Sequence, residues 1–419
     1  MNPLYEQMQT SVFERMSGLA ARHGAVNLGQ GFPDFGWPEE ILDAAARALK
    51  EGSNQYAPSR GLPALREAVA AHYGRHQGLD LSADHVCVTS GATEALAAAI
   101  LATLQPGDEA IVFTPAYDAY APLIRRAGAS VREVALRPPE WRIDGAALAA
   151  AIGSRTRAIV FNNPHNPTGR LFDADELGTI AAAARQHDLI VISDEVWEHI
   201  LLIPPRDEEG DHAKHGGGEG VRSSEPPPSG LRPATSPCRG GFTPLASLPG
   251  MAERTIKCGS AGKIFSLTGW KIGWLVGAPE LAAIAARAHQ FLTFASAPNL
   301  QAAVAFGLAE GDNWIEPMRS RFARARDLMA QGLRDAGYAV LDSASTYFMC
   351  VDLAASGIAL DDEAFARIAV EQAGVAVVPL SAFAEEEPPR HLIRLCFAKQ
   401  DSTIAAGVAA LAKAKELAR

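Results

Sequence analysis

Along much of the chain, short continuous apolar runs alternate with longer Ala-rich stretches of helical spacing. The runs HVCVTS (85–90), EAIVF (109–113), SVREVAL (130–136), RAIVFNN (157–163), LIVISDE (189–195) and RTIKCGS (254–260) predict strands. They read as continuous rather than alternating, the pattern of parallel strands covered on both faces. Helix candidates between them include 93–104 and 173–187, the second opened by an aspartate able to cap it. Strand and helix in this rhythm imply an α/β sheet with helices on both sides. KIGWLVG (271–277) predicts one further strand, whose direction the pattern leaves open.

The texture changes after residue 290. A long helix candidate (314–336) precedes YFMCVDL (347–353), a helix near 361–373, VAVVPL (375–380), HLIRLCFA (391–398) and a closing helix. Helices with a few separate strands predict a smaller α+β domain. The first forty-odd residues are expected to pack on it, because they precede the sheet and carry few strand signals. The expected division is an N-terminal arm and part of the small domain (1–45), a large domain (46–288) and the C-terminal small domain (289–419).

Residues 204–240 break the pattern, being rich in Pro, Gly, Ser and charge. They offer too little apolar surface to offset their ordering entropy and predict a disordered insertion. His212 and His215 lie there without a carboxylate or thiol framework, so no metal site is expected.

Composition narrows the class. At 419 residues, with 48% hydrophobic and 21% charged, the chain suits two ordinary globular domains. A net charge of −10 argues against a nucleic-acid partner. Five cysteines without CxxC spacing exclude a disulfide framework or a structural zinc site as the first reading. The N-terminus lacks the basic-then-apolar order of a signal peptide, and no apolar run is long enough to span a bilayer. The expectation is a soluble cytoplasmic protein.

Five features carry candidate chemistry. LIVISDE delivers Asp194 near the end of an apolar strand, where open α/β sheets place ligands, although an aspartate capping a turn explains it equally well alone. In SAGKIFSLTGWKIGW, Lys263 follows a strand among Gly and aromatic residues. A desolvated lysine there has a lowered pKa and suits Schiff-base formation, with Ser260 and Lys271 placed to serve a phosphate. A loop of ordinary solvated lysines is the competing reading. TSGATEAL ends a strand, turns at Gly91 and opens a helix, a weak but usable anion site. NNPHNPTG presents Asn166 after another strand, and Arg394 interrupts the apolar run HLIRLCFA, where its fork matches a carboxylate or an internal ion pair.

Together SGATE, NNPHNPTG, SDE, SAGK with its following WK, and IRLCFA occur in the order found in class I aminotransferases of the fold-type-I pyridoxal-phosphate group. The chain resembles that family nearly throughout, from NLGQGFPDF (27–35) and NQYAPSRGLPALREAVA (54–70) onward. It is most similar to the methionine, kynurenine and glutamine transaminase branch, and to succinyldiaminopimelate aminotransferases. The resemblance implies that Lys263 holds pyridoxal 5'-phosphate as a Schiff base and later carries the substrate α-proton. It implies that Asp194 pairs with the ring nitrogen, Asn166 with the ring oxygen, and that Tyr117 stacks on the ring. Gly91, the amides of Ala92 and Thr93, Ser260 and Lys271 would hold the phosphate, with Tyr56 reaching it from the other subunit of a homodimer. Arg394 would clamp the substrate carboxylate, with Gly31 close by.

The chain departs from that pattern twice. Trp197 stands where the family carries a tyrosine, removing a hydroxyl aimed at the ring oxygen, and residues 204–240 lengthen the interval between Asp194 and Lys263. The implied activity is amino transfer from an L-α-amino acid, of methionine, glutamine or aromatic type, to a 2-oxo acid. Other readings are a cysteine-conjugate β-lyase using Lys263, and a non-catalytic cofactor-binding regulatory module.

Overall fold

The computed structural model describes residues 1–202 and 241–418, apart from positions 2, 7 and 9. The segment 204–240, with His212 and His215, lies outside the described residues. In chain order the described strands are β1 (Val26–Asn27), β2 (Val86–Ser90), β3 (Glu109–Thr114), β4 (Ser130–Ala135), β5 (Thr156–Asn162), β6 (Ile190–Asp194) and β7 (Thr255–Ser260). They continue as β8 (Ile272–Val276), β9 (Ala339–Val340), β10 (Phe348–Asp352), β11 (Val375–Ala376), β12 (Val378–Pro379) and β13 (Leu392–Cys396).

Seven strands form one sheet in the order β2-β8-β7-β6-β5-β3-β4. The contacts from β7 through β6, β5 and β3 to β4 are parallel, and β8 runs antiparallel to both neighbours, which settles the direction of KIGWLVG. Successive residues of a strand point to opposite faces. In β5, Ala158 and Val160 accordingly join the core under helices Gly91–Thr103 and Pro279–Leu292, while Ile159 and Phe161 join the core shared with helix Ala174–Gln186. Both faces being covered explains the continuous apolar runs. β4 differs from that expectation: it is the edge strand, Ser130 and Arg132 are exposed, and its charged positions follow from its half-open setting.

Local signals account for the helix ends. Asp173 accepts the amides of Asp175 and Glu176, and Glu176 reaches back to the Asp173 amide, a reciprocal cap that starts Ala174–Gln186. A third core lies at the β2–β8 side, where helices Glu39–Glu51, Pro63–Gln77 and Pro298–Ala309 pack over Val86, Val88 and Trp274.

The C-terminal part holds an antiparallel sheet in the order β12-β13-β10-β9, and β1 pairs in parallel with β11. VAVVPL therefore divides, its two halves serving different sheets. Helix Val12–His23 packs on β11. Among the described residues no helix is long and apolar enough to cross a membrane.

Candidate active site

The carboxyl ends of β2, β5, β6 and β7 meet on one edge of the sheet, and each delivers part of a cavity of about 230 Å³. Its lining includes Gly91, Ala92, Thr93, Tyr117, Asn166, Asp194, Trp197, Ser260, Lys263 and Lys271. Residues from four of the five motifs, with Tyr117, are thus brought together. Gly31 and Arg394 adjoin this group through hydrogen bonds described below, whereas Tyr56 stands outside it, 87% exposed.

Asp194 ends β6 and is buried. Its Oδ2 accepts a 2.6 Å hydrogen bond from the Tyr120 hydroxyl, and its Oδ1 a weaker one from the Val196 amide. Burial dominates and raises its pKa to about 6, against the lowering effect of these donors and of Lys263. A buried carboxylate with two neutral donors lacks a full counter-charge.

Lys263 lies in the short helix Ala261–Ile264 that follows β7. Burial is the main cause of its lowered pKa, to about 8, with Arg394 and Lys271 acting in the same sense and Asp194 opposing. About a tenth of the amine is therefore neutral and nucleophilic at pH 7. Its Nζ donates to the Tyr347 hydroxyl at 3.0 Å and sits 4.5 Å from the centre of the Trp197 ring. The Lys263 amine thus meets the face of the indole where the resemblance led one to expect a tyrosine hydroxyl.

At the other end of the cavity, helix Gly91–Thr103 begins. Gly91 has φ +74°, and a Cβ there would lie 3.2 Å from Lys271 Cε, so glycine lets that side chain lie against the turn. A helix N-terminus beside a lysine ammonium is an anion site. Glu94, which would oppose an anion, is engaged with His289 at 2.6 Å and with the Ser90 amide.

Arg394 is buried in β13 and remains cationic at neutral pH, although burial lowers its pKa to about 10. Its Nη1 donates to Asn166 Oδ1 and its Nη2 to the Gly29 carbonyl, both at 2.9 Å. The guanidinium lies 3.9 Å from the Phe348 ring centre, with Phe13 and Phe383 also around it. Its buried Nε has no hydrogen-bond partner among the described residues.

Sequence reasoning missed three contributors. Tyr120 lies three residues after Tyr117 in TPAYDAY, and Tyr347 and Phe13 sit in segments read as ordinary core or arm. Only for Tyr120 did a signal exist, the repeat of tyrosine at helical spacing. Behind Asp194, Lys257 donates to both Glu195 and Glu198, while Tyr73 bonds Glu198 at 2.8 Å, a buried charge cluster that anchors the end of β6.

The family model of aminotransferase class I and II matches residues 24–411. A probable N-succinyldiaminopimelate aminotransferase of Mycobacterium tuberculosis is 41% identical, over 94% of this chain and 94% of its own. A solved structure of N-succinyldiaminopimelate aminotransferase from Mycobacterium tuberculosis superposes with a TM-score of 0.86 at 41% identity, covering 98% of this chain and 99% of that one. The methionine aminotransferase of Escherichia coli is 37% identical over 96% of this chain and 95% of its own. A kynurenine–oxoglutarate transaminase of Dictyostelium discoideum is 32% identical over 94% and 92% respectively.

Proposed function

The chain belongs to the class I and II aminotransferases, pyridoxal-phosphate enzymes that move an amino group between an amino acid and a 2-oxo acid, and from that we propose how its residues divide the work. The cofactor, when bound, supplies an aldehyde to take the amino group and a ring that accepts electrons from the substrate Cα. The residues present fit it. Asp194 is a buried carboxylate short of a cation, as a protonated ring nitrogen requires, and Lys271 with the helix N-terminus at Gly91 suits the phosphate.

Lys263 would hold the cofactor through its amine, and that amine would carry the proton at the substrate Cα. The observation that carries this assignment is its amine, lowered to about 8 by burial, in one cavity with Asp194 and Asn166. Asp194 would keep the ring nitrogen protonated, and Tyr120 holds that carboxylate in place. Tyr117 would pack on the ring, Asn166 would hold the ring oxygen, and the amides of Ala92 and Thr93 with Ser260 would hold the phosphate. Trp197 forms an apolar wall beside Lys263. Arg394 binds the substrate carboxylate, its planar fork held by Asn166 and Gly29 and its Nε still free to donate. Gly31 leaves room beside it.

The working unit is a homodimer. Tyr56, at 87% exposed, and Phe291, at 86%, are large apolar side chains that a second copy would cover, with Tyr56 then serving the partner's phosphate site. Residues 46–288 form the large cofactor domain, and 1–45 with 289–419 the smaller one, bridged by helix Pro298–Ala309, which shares a core with Val86 and Trp274. The buried free thiols of Cys87, Cys258, Cys350 and Cys396 suit a cytoplasmic location.

The favoured amino donors are methionine, glutamine and aromatic amino acids. Phe13, Phe348 and Phe383 surround Arg394, and among the described residues no arginine lines the cavity to receive a second carboxylate. Turnover of methionine, glutamine, phenylalanine, kynurenine and aspartate with one 2-oxo acid tests this. Methionine or an aromatic donor should lead; a clear preference for aspartate overturns the substrate reading.

A further inference from the structure

We infer that Tyr347 is a positioning residue for the reactive lysine, its hydroxyl accepting a hydrogen bond from Lys263 while donating its own proton to the Gly31 carbonyl. The inference rests on the reading of Lys263 as the cofactor lysine. The two contacts are short, 3.0 Å from Lys263 Nζ to the hydroxyl and 2.6 Å from the hydroxyl to Gly31 O. A carbonyl only accepts, so the single phenolic proton is committed to Gly31 and the oxygen faces the amine as an acceptor. Burial holds the phenol well above its usual pKa, which keeps that proton in place. The amine must therefore donate to Tyr347, and its lone pair is turned away from the phenol.

Three features fix this arrangement. Gly31 allows it, because a Cβ there would fall 2.5 Å from Phe348 and 3.5 Å from the Tyr347 ring. Trp197 packs edge-to-face on Tyr347 with ring centres 4.5 Å apart, and Phe348 and Phe322 close the other sides. Trp197 itself carries no hydroxyl, so the hydroxyl that the amine meets comes from β10's side of the site, through the residue just before that strand. The link also ties Lys263 to the segment NLGQGF, whose Gly29 carbonyl holds Arg394. One side chain thus sets the lysine relative to the residue that receives the substrate carboxylate.

Tyr347→Phe deletes the hydroxyl and keeps the ring. Three readouts are needed: the pH dependence of Lys263 labelling by trinitrobenzenesulfonate in cofactor-free protein, located by peptide mass; kcat and KM of the holoenzyme; and the melting temperature. The other charged or titratable groups facing the amine are Cys396, Asp194, Arg394 and Lys271, and the substitution leaves all four in place. An acceptor oxygen favours the ammonium form, so its loss should lower the labelling midpoint by about half a pH unit. The kcat should fall about tenfold, with the amino-acid KM within about twofold of wild type. An unchanged midpoint with unchanged kcat overturns the inference. So does a loss of kcat that accompanies only a lower melting temperature, since that is packing alone. Lys263→Ala separates the two claims: if that variant still shows the cofactor's covalent absorption band, the lysine reading itself fails, whereas a normal Lys263→Ala loss beside a wild-type-like Tyr347→Phe sinks only the role of Tyr347.

Discussion

The Tyr120 hydroxyl donates a 2.6 Å hydrogen bond to Asp194 Oδ2, and both groups are buried. This contact holds the carboxylate at the strand end in one orientation but supplies no positive charge, so in the cofactor-free chain Asp194 ionises only above about pH 6. The site is therefore incomplete electrostatically until a cation enters it.

That incompleteness has a measurable sign. The folded pKa of about 6 lies above the ordinary 3.8, so between those values the folded chain binds more protons than the unfolded one and loses stability as pH rises. Asp194→Asn removes the buried charge and keeps an acceptor for Tyr120. The cofactor-free variant should melt above wild type at about pH 7.5, and the gap should close by about pH 3, below both pKa values. Its transamination rate should fall at least about a hundredfold, as the electron-accepting ring loses its counter-ion. A melting difference of equal size at both pH values contradicts the account.

Arg394→Lys keeps the charge and loses the planar fork that Asn166, Gly29 and Phe348 position. The amino-acid KM should rise by on the order of tenfold or more, with a smaller change in kcat. Steady-state kinetics on methionine measure both, and a loss confined to kcat would place Arg394 outside carboxylate binding.

Much of this was legible in the chain because burial writes itself into periodicity. The strands β2, β3, β5, β6 and β7, covered by helices, give unbroken apolar runs, and their carboxyl ends are where Asp194, Asn166 and Lys263 had to be sought. β4 was misread as covered because Val131 and Val134 mask its exposed Ser130 and Arg132. β1 and β9 are two residues each, too short to leave a pattern. Tyr347 and Phe13 were invisible for a different reason: each enters the site from a segment whose own pattern says only core or arm, and tertiary packing alone brings them to Lys263 and Arg394. The direction of β8 follows from its two partners, which no local signal encodes.

Lys257, placed between Glu195 and Glu198 in the interior, is a structural cation rather than a second reactive lysine. Lys257→Met leaves two buried carboxylates facing each other and should destabilise the fold by about 3–5 kcal/mol, read by denaturant unfolding. A change within about 0.5 kcal/mol would mean that the cluster is not held as a charged unit.

The central claim is that Lys263 binds the cofactor in a site competent for amino transfer. The most direct measurement is the absorption spectrum of purified protein loaded with pyridoxal phosphate, for wild type and Lys263→Ala, before and after addition of methionine. Wild type should show a violet-region band that bleaches with methionine, and Lys263→Ala should lack that response. A wild-type protein that shows no band after loading, or a Lys263→Ala variant that bleaches like wild type, would contradict the account.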